Sequence, residues 1–266
     1  MKRFGLNKNV PWLKIALPLV VVIFLVIGVK GTFRKYSGES EMPVPESPMA
    51  KHVKVPEKVF RGNLVGKKLV ALTFDDGPSP ETTPRLLDVL KEKGAVATFF
   101  ELGIRMRGYP EISQRAKAEG HEVESHTMSH QNFAELSRGE TEADLGEAKG
   151  VFKEVLGEEV RLVRMPYGNS TEASRGLVGT PLIYWSVDSR DWESKDAEKV
   201  RESILGATRD GSIVLMHDIY NSTVEAVAGV VDGLRAEGFE FVTVSELAEE
   251  RGEKMESGET YFAFYP

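Results

Sequence analysis

Cysteine is absent from all 266 residues. Disulfides and thiolate metal sites are therefore excluded, and any transition-metal site must be built from histidine and carboxylate. Histidine is itself scarce, with five in the chain. Neither GxGxxG nor GxxxxGK[ST] occurs, so nucleotide-binding sheets lose weight. Acid is missing from the first 35 residues, where Lys2, Arg3, Lys8, Lys14, Lys30, Arg34 and Lys35 stand unopposed. Removing these seven from the 34 basic residues leaves 27 against 41 acids, a net −14 for the remainder. So acidic a body is a poor nucleic-acid binder, because affinity there rests on neutralising phosphates. No nucleic-acid partner is expected. Long apolar runs are confined to one place, residues 15–29, which carry no charge and no polar face.

With Trp12 and Leu13 that run approaches the ~20 residues that span a bilayer. The expected order is a short basic N-terminus at 1–11 and a transmembrane signal anchor at 12–29. A cleaved signal peptide is the alternative, though no good small-x-small cleavage site follows. Residues 30–66 then read as a stem, since Pro43, Pro45, Pro48 and Pro56 mix with Ser, Glu and Gly without periodicity. This predicts a folded domain held outside the cytoplasm at a membrane, or secreted if the segment is cleaved.

From 67 to 250 strand and helix signals alternate. Apolar β-type runs fall at 69–74, 96–100, 121–124, 161–164, 182–187, 212–216 and 240–244. Helical patterns lie between them at 82–93, 111–119, 141–156, 196–208, 222–237 and 245–250, several ending before glycine. Residues 251–266 read as a C-terminal tail. Repeated β-then-α means an α/β fold with a mainly parallel sheet. A barrel and an open doubly wound sheet both accommodate it; the expectation is a distorted, incomplete (β/α) barrel of about seven parallel strands. Unusual polar residues cluster just past strand ends, where parallel barrels carry reactive groups.

The first strand ends in Asp75-Asp76-Gly77-Pro78. Adjacent carboxylates repel each other, and burial disfavours their charged forms, so a cation would stabilise the pair. His126 and His130 are four apart, and one helical turn would put both imidazoles on one side. Taken alone, that spacing usually marks a solvated helix face. Two imidazoles and one carboxylate suit a divalent transition metal, Zn²⁺ first, with Co²⁺ as another choice. Such a metal polarises a carbonyl and lowers the pKa of bound water. The second acid is left free as a general base, and Arg164 is placed to keep it ionised. His217 is a candidate general acid, with Asp191 or Asp218 setting its tautomer. The Tyr167 amide, before Gly168 in a tight turn, is a candidate oxyanion donor. Trp192 either walls a pocket or packs in the core.

The segments Thr73–Pro78, His126–His130, Arg164–Gly168, Val187–Trp192 and Leu215–Asp218 resemble, in order, the five motifs of the polysaccharide deacetylases of the NodB-homology type, carbohydrate esterase family 4. The resemblance implies that Asp75 is the general base, paired with Arg164, and that Asp76, His126 and His130 hold the metal. It implies an oxyanion contact from the Tyr167 amide, and that Asp191 pairs with the general acid His217. It implies also that Trp192 and Leu215 line the pocket for the acetyl methyl. The implied substrate is an extracytoplasmic polysaccharide, N-acetylglucosamine residues of peptidoglycan or chitin-like oligomers, with O-acetyl polysaccharide esters as an alternative. Two rivals stand beside this reading: a catalytically inactive glycan-binding module, whose mark would be a missing base or acid whereas Asp75 and His217 are both present, and an Fe(II) oxygenase using the same ligand set. Met165 stands where the family has proline, and little effect is expected. Glu101 and Glu124 replace small or apolar residues; on the rim of a groove they would disfavour an anionic polymer. The sequence carries no oligomerisation signal.

Overall fold

A computed structural model describes residue 64 and residues 66–266. The expected anchor at 12–29 and nearly all of the stem lie outside the described residues. Among the described residues no helix is long and apolar enough to cross a membrane.

The chain alternates as the sequence predicts. β1 (Lys68–Asp75), α1 (Thr83–Lys93), β2 (Thr98–Glu101), α2 (Gly103–Gly108), α3 (Pro110–Ala118), β3 (Glu122–Ser125) and α4 (Arg138–Leu156) come first. Then follow α5 (Glu172–Val178), β4 (Leu182–Ile183), β5 (Val187–Asp188), α6 (Asp191–Ser194), α7 (Ala197–Ala207) and β6 (Ser212–His217). α8 (Asn221–Ala236), β7 (Phe239–Phe241), α9 (Val244–Glu250) and β8 (Thr260–Tyr261) close the order. The main sheet runs β3-β2-β1-β6-β5, with β7 also on β1, and every strand pair is parallel.

β1 sits at the centre because both of its faces are apolar. Val70, Leu72 and Phe74 face the helices and share a core with Leu86, Leu87 and Leu90 of α1 and with Val227, Val230 and Leu234 of α8. Leu69 and Ala71 point the other way, into a second core with Phe100, Ile183, Ile213 and Phe264. Period-two alternation then carries Thr73 and Asp75 onto that second face. Each fully buried Leu or Phe here contributes roughly 1.5–3 kcal/mol. One long edge of β1 pairs with β6 from Val70↔Ser212 to Asp75↔His217. The other edge is shared, β7 taking Lys68–Val70 and β2 taking Thr73–Asp75.

Two predicted strands come out differently. Residues 161–164 form no strand; Val163 makes only isolated bridges to Ser125 and Leu182. The Glu124 carboxylate takes the Arg161 and Leu162 amides at 2.9 and 3.0 Å, occupying donors that a ladder would use. The run at 182–187 splits, because Tyr184 N–H bonds to Tyr261 O whereas Ser186 N–H bonds to Ile213 O. The segment changes neighbours midway. Residues 251–266 are no loose tail: β8 pairs with β4, and Phe264 is buried in the second core.

Candidate active site

Six non-glycine residues have left-handed backbones among the described residues: Asp76, Thr127, His130, Tyr167, Arg190 and Lys195. Five lie inside the segments singled out from sequence and the sixth lies just beyond. Each costs roughly 1–2 kcal/mol in an L-residue, so the fold concentrates its backbone strain in the loops at one end of the sheet.

Asp75 ends β1 and is buried. Its Oδ1 accepts from Arg164 Nη1 at 2.7 Å. Arg164 is wholly buried, and its other bonds go to Thr73 Oγ1 (2.7 Å), Ile183 O (3.0 Å) and Tyr184 O (2.9 Å). Its guanidinium lies 4.1 Å from the centre of the Phe100 ring. Burial pushes the Asp75 carboxyl upward, and the Arg164 charge opposes it.

The next residue, Asp76, turns its Oδ1 toward both histidines, 3.5 Å from His126 Nε2 and 3.3 Å from His130 Nε2. That oxygen is buried and has no hydrogen-bond donor. His126 Nδ1 lies 2.8 Å from Arg164 O, so the ring nitrogen donates there and Nε2 keeps its lone pair. Burial lowers the His126 pKa to about 3, which keeps the ring neutral. The three ligand atoms lie within 4.8 Å of one another. An orphaned carboxylate oxygen facing two imidazole lone pairs fits a divalent transition metal.

The two histidines are not on a helical turn, contrary to the spacing argument. Residues 126–130 form an irregular loop, and the left-handed Thr127 and His130 fold it so that the rings meet at 5.1 Å. Asp144 of α4 holds this loop through Met128 N (2.8 Å) and Ser129 Oγ (2.7 Å). Asp144 escaped the sequence reading. Its signal was an acid on the face of α4 that buries Leu145, Ala148 and Phe152.

His217 ends β6 beside Asp75. Asp191 is fully buried and binds it twice, Oδ1 to the ring Nδ1 at 2.8 Å and Oδ2 to the backbone N at 2.7 Å. Thr223 Oγ1 and Trp192 N complete the Asp191 carboxylate. Burial opposes charge on both partners. Their hydrogen bond wins, holding Asp191 below the usual carboxylate range. It joins the charges of Asp191, Asp75 and Asp76 in pushing His217 up to about 9. Of the two acids considered as the partner of His217, the structure selects Asp191. Asp218 instead accepts from Thr83 Oγ1 at 2.5 Å and packs on Gly77, where an added Cβ would sit 2.1 Å from its carboxylate.

Pro166–Gly168 make a single 3₁₀ turn after Arg164. Tyr167 is 67% exposed and its ring meets His130 edge-on at 4.6 Å. Its amide, second in the turn, falls where such turns leave an N–H without an internal partner. Gly168 has φ 62 and touches Trp185, which an added Cβ would meet at 2.9 Å. Trp192 is 46% exposed, so it belongs to the lip and not to the core. Leu215 is buried on the inner face of β6, between Thr73 and Asp188 by register.

Glu101 and Glu124 do not rim the groove; both are buried. Glu101 accepts from Ser113, and burial raises it to about 8. Glu124 accepts the 161–162 amides, and burial beside Glu122 raises it to about 7.

Comparison with known proteins gives the same address. The family model described as polysaccharide deacetylase matches residues 62–179. The peptidoglycan-N-acetylglucosamine deacetylase PgdA of Listeria monocytogenes is 36% identical over 223 residues, 84% of this chain and 44% of that protein. The chain thus spans less than half of that relative. The chitooligosaccharide deacetylase of a Bradyrhizobium strain is 35% identical over 204 residues, 70% of this chain and 93% of that protein. A solved structure described as T48 deacetylase with substrate matches with TM-score 0.72 at 36% identity, over 75% of this chain and 99% of that one. With a third of its residues shared along nearly the full length of such a relative, this chain belongs to the polysaccharide deacetylase family.

Proposed function

We propose that the domain is a metal-dependent N-deacetylase acting on N-acetylglucosamine residues of an extracytoplasmic polysaccharide, peptidoglycan in the first place. One observation carries the reading. The Asp76–His126–His130 cluster shares its mouth with a buried Asp75–Arg164 pair and with His217 on the buried Asp191. That is a metal position accompanied by a base and an acid, which amide hydrolysis requires. We read the parallel sheet as an incomplete barrel with this mouth at its carboxyl end. The uncharged run at 15–29 within the expected anchor, and the stem, support attachment to a membrane outside the cytoplasm, facing a cell-wall substrate.

Asp76, His126 and His130 would hold the ion, Zn²⁺ or Co²⁺ by donor type. When bound it polarises the acetyl carbonyl and lowers the pKa of a water toward ~7. The chain's own groups do the rest. Asp75 takes the proton of the attacking water, and Arg164 keeps the carboxylate oriented and charged. The Tyr167 amide donates to the developing oxyanion. His217, protonated through Asp191, gives its proton to the leaving amine, and acetate departs. Leu215 and Trp192 bound the space for the methyl group.

The purified chain with Zn²⁺ is expected to release acetate from N-acetylglucosamine oligomers or from peptidoglycan, to stop with chelator, and to restart with Zn²⁺ or Co²⁺. Activity with redox-inert Zn²⁺ also separates this reading from oxygenase chemistry. No acetate from either substrate, beside a working control enzyme, overturns it.

The acid–base assignment has its own pH signature. Asp191→Asn removes the charge that raises His217, while burial, which lowers it, remains. The basic limb of the pH–rate profile then moves to lower pH, and kcat at neutral pH falls about 10²–10⁴-fold. An unmoved basic limb would remove His217 from the role of acid.

A further inference from the structure

Cations that make no close ion pair among the described residues collect on one side of the mouth, in a body that is otherwise strongly acidic. Lys195, exposed just past α6, makes no ion pair among the described residues; its ammonium stands 5.6 Å from the centre of the Tyr220 ring. Tyr220 is half-buried, its ring 5.8 Å from that of His217, and its hydroxyl has no hydrogen-bond partner among the described residues. Arg85, exposed in the first turns of α1, donates Nη1 to Asn221 Oδ1 at 2.6 Å, beside Tyr220, and pairs with no carboxylate among the described residues. Arg105 of α2 makes no close ion pair among the described residues, though it is close enough to Asp218 for their charges to interact. Nearby Arg190 differs, since Glu193 engages it at 3.4 Å. Glu81, four residues before Arg85, makes no ion pair with it. Glu101 and Glu124, the acids that would repel an anionic polymer from a rim, are buried away from it.

A tyrosine near the acid histidine, with a lysine ammonium by its ring and an arginine bonded to the residue that follows it, makes a receptor for a sugar ring that carries a carboxylate. We propose that Lys195, Tyr220 and Arg85 form a subsite on the His217 side that receives a carboxylate-bearing residue adjoining the sugar deacetylated, so that the domain prefers an anionic glycan to a neutral one. The inference rests on the deacetylase reading and names its substrate class. The carboxylate belongs either to the neighbouring sugar or to a peptide attached to it, and both present the same chemistry.

The test uses the zinc-loaded chain and its Lys195→Gln/Arg85→Gln double variant, both changes lying on exposed positions. Three substrates are compared: neutral N-acetylglucosamine oligomer, peptide-free glycan with alternating carboxylate sugars, and the same glycan with its peptides. In wild type kcat/KM is higher for the anionic glycans, and the advantage shrinks with added salt. The double variant lowers the anionic-to-neutral ratio roughly tenfold, equivalent to about 1.4 kcal/mol, with the change in KM. Loss of ratio on the peptide-free glycan assigns the sugar carboxylate; loss only on the peptide-bearing glycan assigns the peptide. An unmoved ratio overturns the subsite. Equilibrium binding of the peptide-free glycan against its methyl ester needs no turnover, so it separates this proposal from the activity itself. Equal binding of the two by wild type also overturns it.

Discussion

Asp75→Asn is expected to abolish useful turnover while the protein keeps its metal. Asparagine preserves the size of the side chain and an oxygen that Arg164 Nη1 can still reach, now 2.7 Å away. It removes the proton acceptor and nothing from the Asp76, His126 and His130 set. Loss of a positioned general base costs about 10²–10⁴-fold in kcat, and zinc content should match wild type. Stability should fall as well. The Arg164 guanidinium is wholly buried and would lose its counter-charge, a change worth about 3–5 kcal/mol where a buried pair is broken. Its bonds to Thr73, Ile183 and Tyr184 and its contact with Phe100 offset part of this. Acetate release, zinc stoichiometry and thermal unfolding together give the answer. Activity within tenfold of wild type, or loss of zinc, would sink the assignment of Asp75 as base.

His126→Ala should fail in the opposite way, losing the metal first and activity as a consequence. The imidazole is buried and fixed by Arg164 O at 2.8 Å, so no neighbouring side chain replaces its Nε2. Removing a mere outer hydrogen-bond partner of a metal ligand weakens binding about 10–100-fold. Removing the ligand should exceed about 100-fold, read by competition with a chelator of known affinity. Saturating Zn²⁺ should not restore normal kcat. If the variant holds zinc as wild type does, the metal site lies elsewhere. The two variants together separate the base from the ligands, because only one of them empties the site.

Much of this was readable from the chain. The runs at 69–74 and 212–216 are almost wholly apolar, broken only by Thr73 and Ser212, as strands covered on both faces tend to be, and both formed at those positions. Helices ended at Gly94 and Gly157, where a left-handed cap was expected. The short helices α2, α5 and α6 were missed; they run six, seven and four residues, too few for a period of 3.6 to register. The strand at 161–164 failed because a side chain from 38 residues away took its amides, which no local pattern records. The histidine pair was found by a helix argument that the loop contradicts. Side-chain type made that inference survive, since two imidazoles near a carboxylate are suggestive whatever backbone presents them.

Composition and pattern by themselves determined the parallel α/β class, the exclusion of thiolate chemistry, and the residue types that gather past the strand ends. Those follow from properties each residue carries alone: polarity, period and the absence of a sulfur nucleophile. Only the tertiary structure decided which acid serves which base. The β1–β6 register sets Asp75 beside His217, Arg164 reaches across 89 residues to Asp75, and Asp191 rather than Asp218 takes His217. It also hid Glu101 and Glu124 and left Lys195 and Arg85 in the open. A pairing between carboxylates that look alike in sequence depends on distances of a few ångströms, and packing, not composition, fixes those.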